Sequence, residues 1–149
     1  MKRAEQAKEF FLQGYACSQA VARAFADLTG VDRETLEKIM LPFGGGLGRQ
    51  RLTCGAVSGA CAVYGLLFAK SGVDGANKRD VYAGVRELCE KFKEKTGSIV
   101  CSELLAGMKV PVEIGGDAER RTKEYYQKRS CADMVALAAE ILEDMLGNK

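Results

Sequence analysis

Apolar residues recur at helical spacing along most of the chain. Val21, Ala24, Phe25 and Leu28, for example, lie three, four and seven residues apart, so they share one face of a helix. No segment shows the sustained alternation of apolar and polar residues that is typical of a strand. We therefore expect an all-α fold, a single-domain bundle of about six to eight helices over residues 1–149.

Caps and helix breakers predict the helix boundaries. Gly14 and Gly30 each follow a helical segment, and Pro42 ends another. Asp32 and Asp117 are expected to cap the helices that follow them. These signals predict helices up to residue 12 and over about residues 18–28, 33–41, 54–69, 78–95, 102–106, 118–128 and 132–146, with a loop over 43–49.

Composition and charge exclude several classes of protein. The chain is 47% apolar and 28% charged, as an ordinary globular protein is. A formal net charge of +2 gives no reason to expect nucleic acid as a partner. The longest nearly apolar stretch, Ala56–Ala69, has 14 residues, fewer than the roughly 17–25 that span a membrane. Charged residues stand near the N-terminus where a signal peptide would need its apolar core, so we expect a cytoplasmic protein.

The absence of histidine from the sequence narrows the chemistry further. It excludes Ser-His-Asp and Cys-His catalytic sites and zinc sites with imidazole ligands. It also excludes attachment of c-type haem through a CxxCH motif. Polar chemistry must then come from thiols, carboxylates, tyrosines, amines or the backbone.

Four of the six cysteines stand at the predicted start of a helix: Cys17, Cys54, Cys101 and Cys131. A helix N-terminus presents unpaired N–H groups and about half a positive charge, and both favour a thiolate over a thiol. At such positions the pKa of a cysteine can fall from about 8.5 into the range of about 3.5–7.5. No two cysteines have CxxC spacing, so only the fold could bring the four together in one site.

Cys61 and Cys89 lie inside predicted helices rather than at their starts. A buried free cysteine behaves as a small apolar residue, and we expect both of these to be structural. Cys61 is the stronger candidate for a role, because it lies two turns after Cys54 on roughly the same helix face.

A glycine-rich run precedes Cys54, beside Arg49 and Arg51. Its N–H groups could turn inward to hold an anion, although a flexible connector is the alternative. The run lacks the pattern of a P-loop and that of a dinucleotide-binding loop. After Cys54, small residues would let a backbone or a bound group approach the helix closely, and the same helix would suit a homodimer interface. The candidate cofactor-binding residues are Gly44, Gly45, Gly46, Gly48, Gly55, Ala56 and Gly59.

Together these motifs resemble the bacterial and archaeal C_GCAxxG_C_C family. The resemblance rests on Cys17, the run Phe43–Arg49, the motif Cys54–Gly59, Cys101 and Cys131, and it covers about residues 10–146. The four cysteines match the four that characterise the family, whose members are described as redox-active. The resemblance also implies a redox partner associated with a transporter, since members are often encoded near transporter genes. A related module fused to multihaem cytochromes suggests electron transfer.

Three functions of different classes remain open. In the first, Cys17, Cys54, Cys101 and Cys131 hold an iron–sulfur cluster or another thiophilic metal for electron transfer or redox sensing. A structural zinc site ranks lower, because zinc usually draws its ligands from close CxxC pairs. In the second, the same cysteines carry out thiol–disulfide chemistry. In the third, the chain is a non-catalytic helical partner protein with structural cysteines.

Overall fold

The chain folds into helices joined by short connections, so the prediction of an all-α fold is confirmed. The computed structural model describes residues 2–147, and within this range it contains no strand, only an isolated antiparallel bridge. The helices are α1 (Arg3–Leu12), α2 (Cys17–Arg23), α3 (Ala26–Thr29), α4 (Arg33–Met40), α5 (Gly44–Leu47), α6 (Gly55–Phe68), α7 (Gly75–Thr96), α8 (Cys101–Gly107), α9 (Lys123–Lys128) and α10 (Cys131–Gly147), with a 3-10 turn at Leu41–Phe43.

The apolar helix α6 packs against α2, α7 and α10, and α1 packs on α10. Its buried residues include Ala56, Val57, Ala60 and Val63, none of which is more than 1% exposed. Residues 55–64 are all buried or half-buried, which explains why the sequence there is apolar instead of amphipathic, whereas Leu66 near the end of the helix is exposed. No helix within residues 2–147 has both the length and the apolarity to cross a membrane.

The helix predicted over residues 18–28 is broken into α2 and α3. The cause is Arg3, whose Nη1 donates a hydrogen bond of 2.7 Å to the carbonyl of Ala24 and whose guanidinium lies 5.1 Å from the centre of the Phe25 ring. The N–H of Leu28 donates instead to the carbonyl of Phe25. A side chain from α1 therefore ends α2 at a point that local spacing could not indicate.

Asp117 does not cap a helix, contrary to the prediction. Helix α9 begins only at Lys123, where the side chain of Thr122 accepts a hydrogen bond from the N–H of Tyr125. The preceding residues form an irregular segment, 110–122, whose carbonyls are held by arginines from elsewhere in the chain. The glycine run predicted to be a loop is one irregular turn, α5, in which Gly45 and Gly46 have positive φ.

Candidate functional site

The cysteines at helix starts line one cavity of about 340 Å³. Cys17, Cys101 and Cys131 are the first residues of α2, α8 and α10, and Cys54 is the N-cap of α6. Cys54 is 7% exposed and the other three are half-buried, and all four are free thiols. The structure therefore brings together the four cysteines that the sequence singled out.

A backbone bridge sets the positions of Cys54 and Cys101. Thr53 and Val100 form an isolated antiparallel pair directly before them. The N–H of Cys54 donates to the carbonyl of Ile99 at 2.7 Å, and the N–H of Cys101 donates to the carbonyl of Leu52 at 2.5 Å. The N-termini of α6 and α8 thus start side by side at the cavity.

Gly55 gives the Cys17 sulfur its place against α6. A Cβ built on Gly55 would overlap the Sγ of Cys17 and would lie 2.9 Å from the carbonyl oxygen of Phe43. Only a residue without a side chain allows this approach, which gives the glycine of the Cys-Gly-Ala motif a specific structural role.

Backbone N–H groups point at two of the sulfurs. The Cys17 sulfur accepts hydrogen bonds from the N–H groups of Gly45 and Ser18. The Cys54 sulfur accepts them from Ala56 and Val57, in the first turn of α6. Hydrogen bonds of this kind stabilise a thiolate or a metal-bound sulfur.

Burial nevertheless dominates the ionisation of these thiols. Desolvation raises the pKa of Cys17 and of Cys54 above the ordinary value, despite their N–H partners. It also raises the pKa of Cys131 to about 12, with a smaller contribution from Cys17. The lowered pKa values expected at helix N-termini are therefore wrong for these three cysteines, because the loss of water outweighs the helix end.

The predicted cofactor-binding residues divide into two groups. Gly44, Gly45, Gly48 and Gly55 line the cavity. Gly46, Ala56 and Gly59 do not. A Cβ on Gly46 would lie 2.6 Å from the backbone nitrogen of Leu52, and one on Gly59 would lie 2.5 Å from the carbonyl oxygen of Ser18. The glycine face of α6 is therefore occupied by α2 of the same chain.

Arg49 and Arg51 hold segment 110–122 at the cavity. Nε of Arg49 donates to the carbonyl of Gly115 at 2.8 Å, and Nε of Arg51 donates to the carbonyl of Glu113 at 2.9 Å. Both arginines have left-handed backbone φ, 63° and 62°. Arg51 is 5% exposed, and its Nη1 lies 3.9 Å from the Sγ of Cys101.

The cavity wall carries excess positive charge, of which the sequence analysis indicated only Arg49 and Arg51. Its charged residues are Arg49, Arg51, Arg121, Arg129 and Glu119. The Glu119 carboxylate pairs with Arg129, and it lies 3.9 Å from Nη2 of Arg51, which is buried and has no hydrogen bond. The cluster of arginines over residues 120–129, just before Cys131, is the sequence signal that could have indicated this wall.

Aromatic side chains hold two of these arginines. The Arg121 guanidinium lies 4.2 Å from the centre of the Phe11 ring and donates to the carbonyls of Phe11 and Tyr15. The Arg129 guanidinium lies 5.0 Å from the centre of the Tyr125 ring. Phe11 and Tyr125 both line the cavity, so α1 and α9 contribute to its wall.

Cys61 and Cys89 do not line the cavity. They lie on α6 and α7, half-buried, and their thiols share a hydrogen bond. The two residues outside the family pattern therefore form a pair of their own.

The cavity cysteines do not form a preformed site for a single metal ion. Among the described residues 2–147, no three cysteine, aspartate or glutamate side chains are grouped closely enough to hold one ion. The four cysteines instead line a cavity that has room for a group of several atoms.

A family profile described as "Putative redox-active protein (C_GCAxxG_C_C)" matches residues 15–145. The chain belongs to this family. The match runs from just before Cys17 to the last turns of α10, so it includes every cysteine of the cavity. No curated protein and no solved structure shows a significant match. As a member of the C_GCAxxG_C_C family, the chain is assigned to redox-active proteins.

Proposed function

We propose that this C_GCAxxG_C_C protein binds an iron–sulfur cluster through Cys17, Cys54, Cys101 and Cys131 and uses it for electron transfer or redox sensing. The observation that carries the proposal is the convergence of four free thiols on one arginine-walled cavity. Four cysteine ligands are the usual complement of both common cluster types.

The spacing of the cysteines favours a cluster over a single zinc ion. A tetrahedral zinc site places all its sulfurs about 2.3 Å from one point. No such grouping exists within residues 2–147. A cluster distributes its cysteine ligands over more than one iron, so its ligands can surround a cavity without meeting at a single centre.

The charges of the wall fit the same occupant. Iron–sulfur sites with four thiolates are anionic, and the charged residues of this cavity wall are four arginines and one glutamate. The Nη2 group of Arg51 is buried without a hydrogen bond, which is costly unless the site receives an acceptor. The sulfur of a bound thiolate at Cys101, beside Nη1 of the same arginine, would supply negative charge there.

The protein's own residues would hold and tune such a site. An iron–sulfur cluster supplies one-electron transfer at a potential set by charge, hydrogen bonds to sulfur and solvent exposure. The N–H groups of Gly45 and Ala56 bond to the sulfurs of Cys17 and Cys54. Segment 110–122, held by Arg49 and Arg51, contributes Gly116, Ala118 and Glu119 to the cavity wall.

Thiol–disulfide chemistry at the same cysteines is less well supported. The thiolate is the attacking species, and burial raises the pKa of Cys17, Cys54 and Cys131. A metal, in contrast, displaces the protons of buried thiols when it binds. The raised pKa values therefore oppose nucleophilic attack by the free thiols more strongly than they oppose a cluster, whose iron replaces the protons when it binds.

Anaerobic reconstitution of metal-free protein with iron and sulfide tests the proposal. The wild type is expected to gain visible charge-transfer bands and stoichiometric iron and sulfide. The variants Cys17→Ser, Cys54→Ser, Cys101→Ser and Cys131→Ser should each lose most of this signal. Cys61→Ser and Cys89→Ser are matched controls, because neither residue lines the cavity, and both should reconstitute as the wild type does. A wild type that takes up no iron, or four cavity variants that reconstitute fully, would overturn the proposal.

A further inference from the structure

Helices α6 and α7 are closely packed neighbours. They are joined by the short connection 69–74, so they run antiparallel. At one point of their contact the Tyr64 ring of α6 lies directly on Gly84 of α7, so closely that a Cβ on Gly84 would overlap the ring. Gly84 therefore allows the two backbones to approach at this point.

The Tyr64–Gly84 contact sets which residues of α6 and α7 lie opposite each other, and it places two cysteines together. Cys61 lies three residues before Tyr64 on α6, and Cys89 lies five residues after Gly84 on α7. Because the helices are antiparallel, both residues lie about one turn from the Tyr64–Gly84 contact in the same direction. Their thiols accordingly meet and share a hydrogen bond.

We propose that Cys61 and Cys89 form a second redox site, a dithiol that a peroxide oxidises reversibly to a disulfide linking α6 to α7. Both thiols are free, and both are half-buried, so a small oxidant can reach the pair from solvent. This site lies outside the cavity, and the inference does not depend on the proposed iron–sulfur cluster.

Cys89 is the attacking thiol. The S–H of Cys61 donates to its sulfur, and this hydrogen bond lowers the pKa of Cys89 to about 7. A thiolate of this kind reacts with peroxide at neutral pH. Cys61 keeps its proton at this stage, since its pKa is raised by the same interaction and by burial.

The chemistry takes two steps. The Cys89 thiolate attacks one oxygen of hydrogen peroxide, and the O–O bond breaks. Cys89 is now a sulfenic acid, and the released hydroxide is protonated and departs as the first water. Once Cys89 is a sulfenic acid, the thiolate that most strongly raised the pKa of Cys61 is gone. The Cys61 sulfur then attacks the Cys89 sulfur, the S–O bond of Cys89 breaks, and the departing hydroxide takes the Cys61 proton and leaves as the second water. Overall, two thiols and one hydrogen peroxide give one disulfide and two waters, and a thiol reductant reverses the change.

Mass mapping of the full-length protein after one equivalent of hydrogen peroxide tests the inference. Trypsin places Cys61 on the peptide 52–70 and Cys89 on the peptide 87–91. We expect these two peptides to be linked, with fragmentation assigning the bond to Cys61 rather than to Cys54, and dithiothreitol to release them. Cys61→Ser should leave a sulfenic acid on Cys89 that dimedone traps, whereas Cys89→Ser should leave Cys61 as a free thiol.

The inference is overturned if Cys89 can still be fully alkylated after the peroxide treatment, or if Cys89 is linked to a cysteine other than Cys61. The wild-type map alone decides this, so poor folding of a variant does not obscure the result. The visible spectrum of reconstituted Cys61→Ser protein separates the two proposals. Loss of the α6–α7 linkage with an unchanged spectrum is expected, because the two sites use different cysteines.

Discussion

The Sγ of Cys17 occupies the space that a side chain on Gly55 would fill. The first cysteine of the cavity can therefore contact the first turn of α6 only because the residue after Cys54 is glycine. This contact joins the N-termini of α2 and α6, and it shows how the glycine of the Cys-Gly-Ala motif determines the position of a cavity cysteine.

Gly55→Ala should destabilise the protein and displace Cys17. The added methyl group overlaps the sulfur, and overpacking of a core position costs about 1–3 kcal/mol in the free energy of unfolding. Urea unfolding measures the change. Gly65→Ala in the same helix is the control, because a Cβ there has nothing within 4 Å, and it should be neutral or stabilising. Equal stability of the two variants would contradict the role given to Gly55.

Arg51→Met should loosen segment 110–122. The carbonyl of Glu113 loses its hydrogen bond from Arg51, and because Glu113 is exposed, water can replace that donor, so we expect a cost of about 0.5–1.5 kcal/mol. We expect a glutamate-specific protease to cut at Glu113 faster than in the wild type, as followed by mass spectrometry of early fragments. Arg79→Met, at an exposed position on α7, should leave the rate unchanged. Unaltered cleavage in Arg51→Met would show that this arginine does not hold the segment.

Thiol reactivity in reduced, metal-free protein should separate the cysteines. At pH 7.5 iodoacetamide should modify Cys89 at least about tenfold faster than Cys131, because the pKa of Cys89 is about 7 and that of Cys131 is about 12. Peptide mapping over a time course measures both rates. Rapid labelling of Cys17 or Cys131 would favour thiol exchange at the cavity over a cluster.

The ion pair between Arg3 and Asp27 should make stability depend on pH. The hydrogen bond from Arg3 lowers the pKa of Asp27 in the folded protein. The ion pair therefore stabilises the fold above a pH of about 3.9, the pKa of an aspartate in the unfolded chain, and this stabilisation is lost as the pH falls through the pKa of Asp27 in the folded protein. Asp27→Asn should destabilise by at most about 1 kcal/mol at pH 7, since the carboxylate is exposed. Denaturant unfolding at pH 7 and pH 3 should show that this difference is smaller at the lower pH. A difference that is equal at both pH values would exclude the pair as its source.

Local sequence signals predicted the helices and the positions of the cysteines on them, because caps and apolar spacing act within a few residues. They failed where distant residues intervene. Arg3 ends α2, and Arg49 and Arg51 hold the segment in which Asp117 was expected to start a helix.

Contacts between residues that are far apart in the chain could not be predicted from the sequence either. The Thr53–Val100 bridge that sets Cys54 beside Cys101 joins residues far apart in the chain. Burial of the cavity thiols, which reverses the expected direction of their pKa shifts, likewise depends on tertiary packing.

Iron and acid-labile sulfide content, with a visible absorption spectrum, on protein purified without oxygen tests the central claim most directly. The iron–sulfur proposal predicts stoichiometric iron and sulfide and charge-transfer bands in the purified protein. Stoichiometric zinc without sulfide, or a colourless protein without metal that reconstitution cannot change, would contradict it.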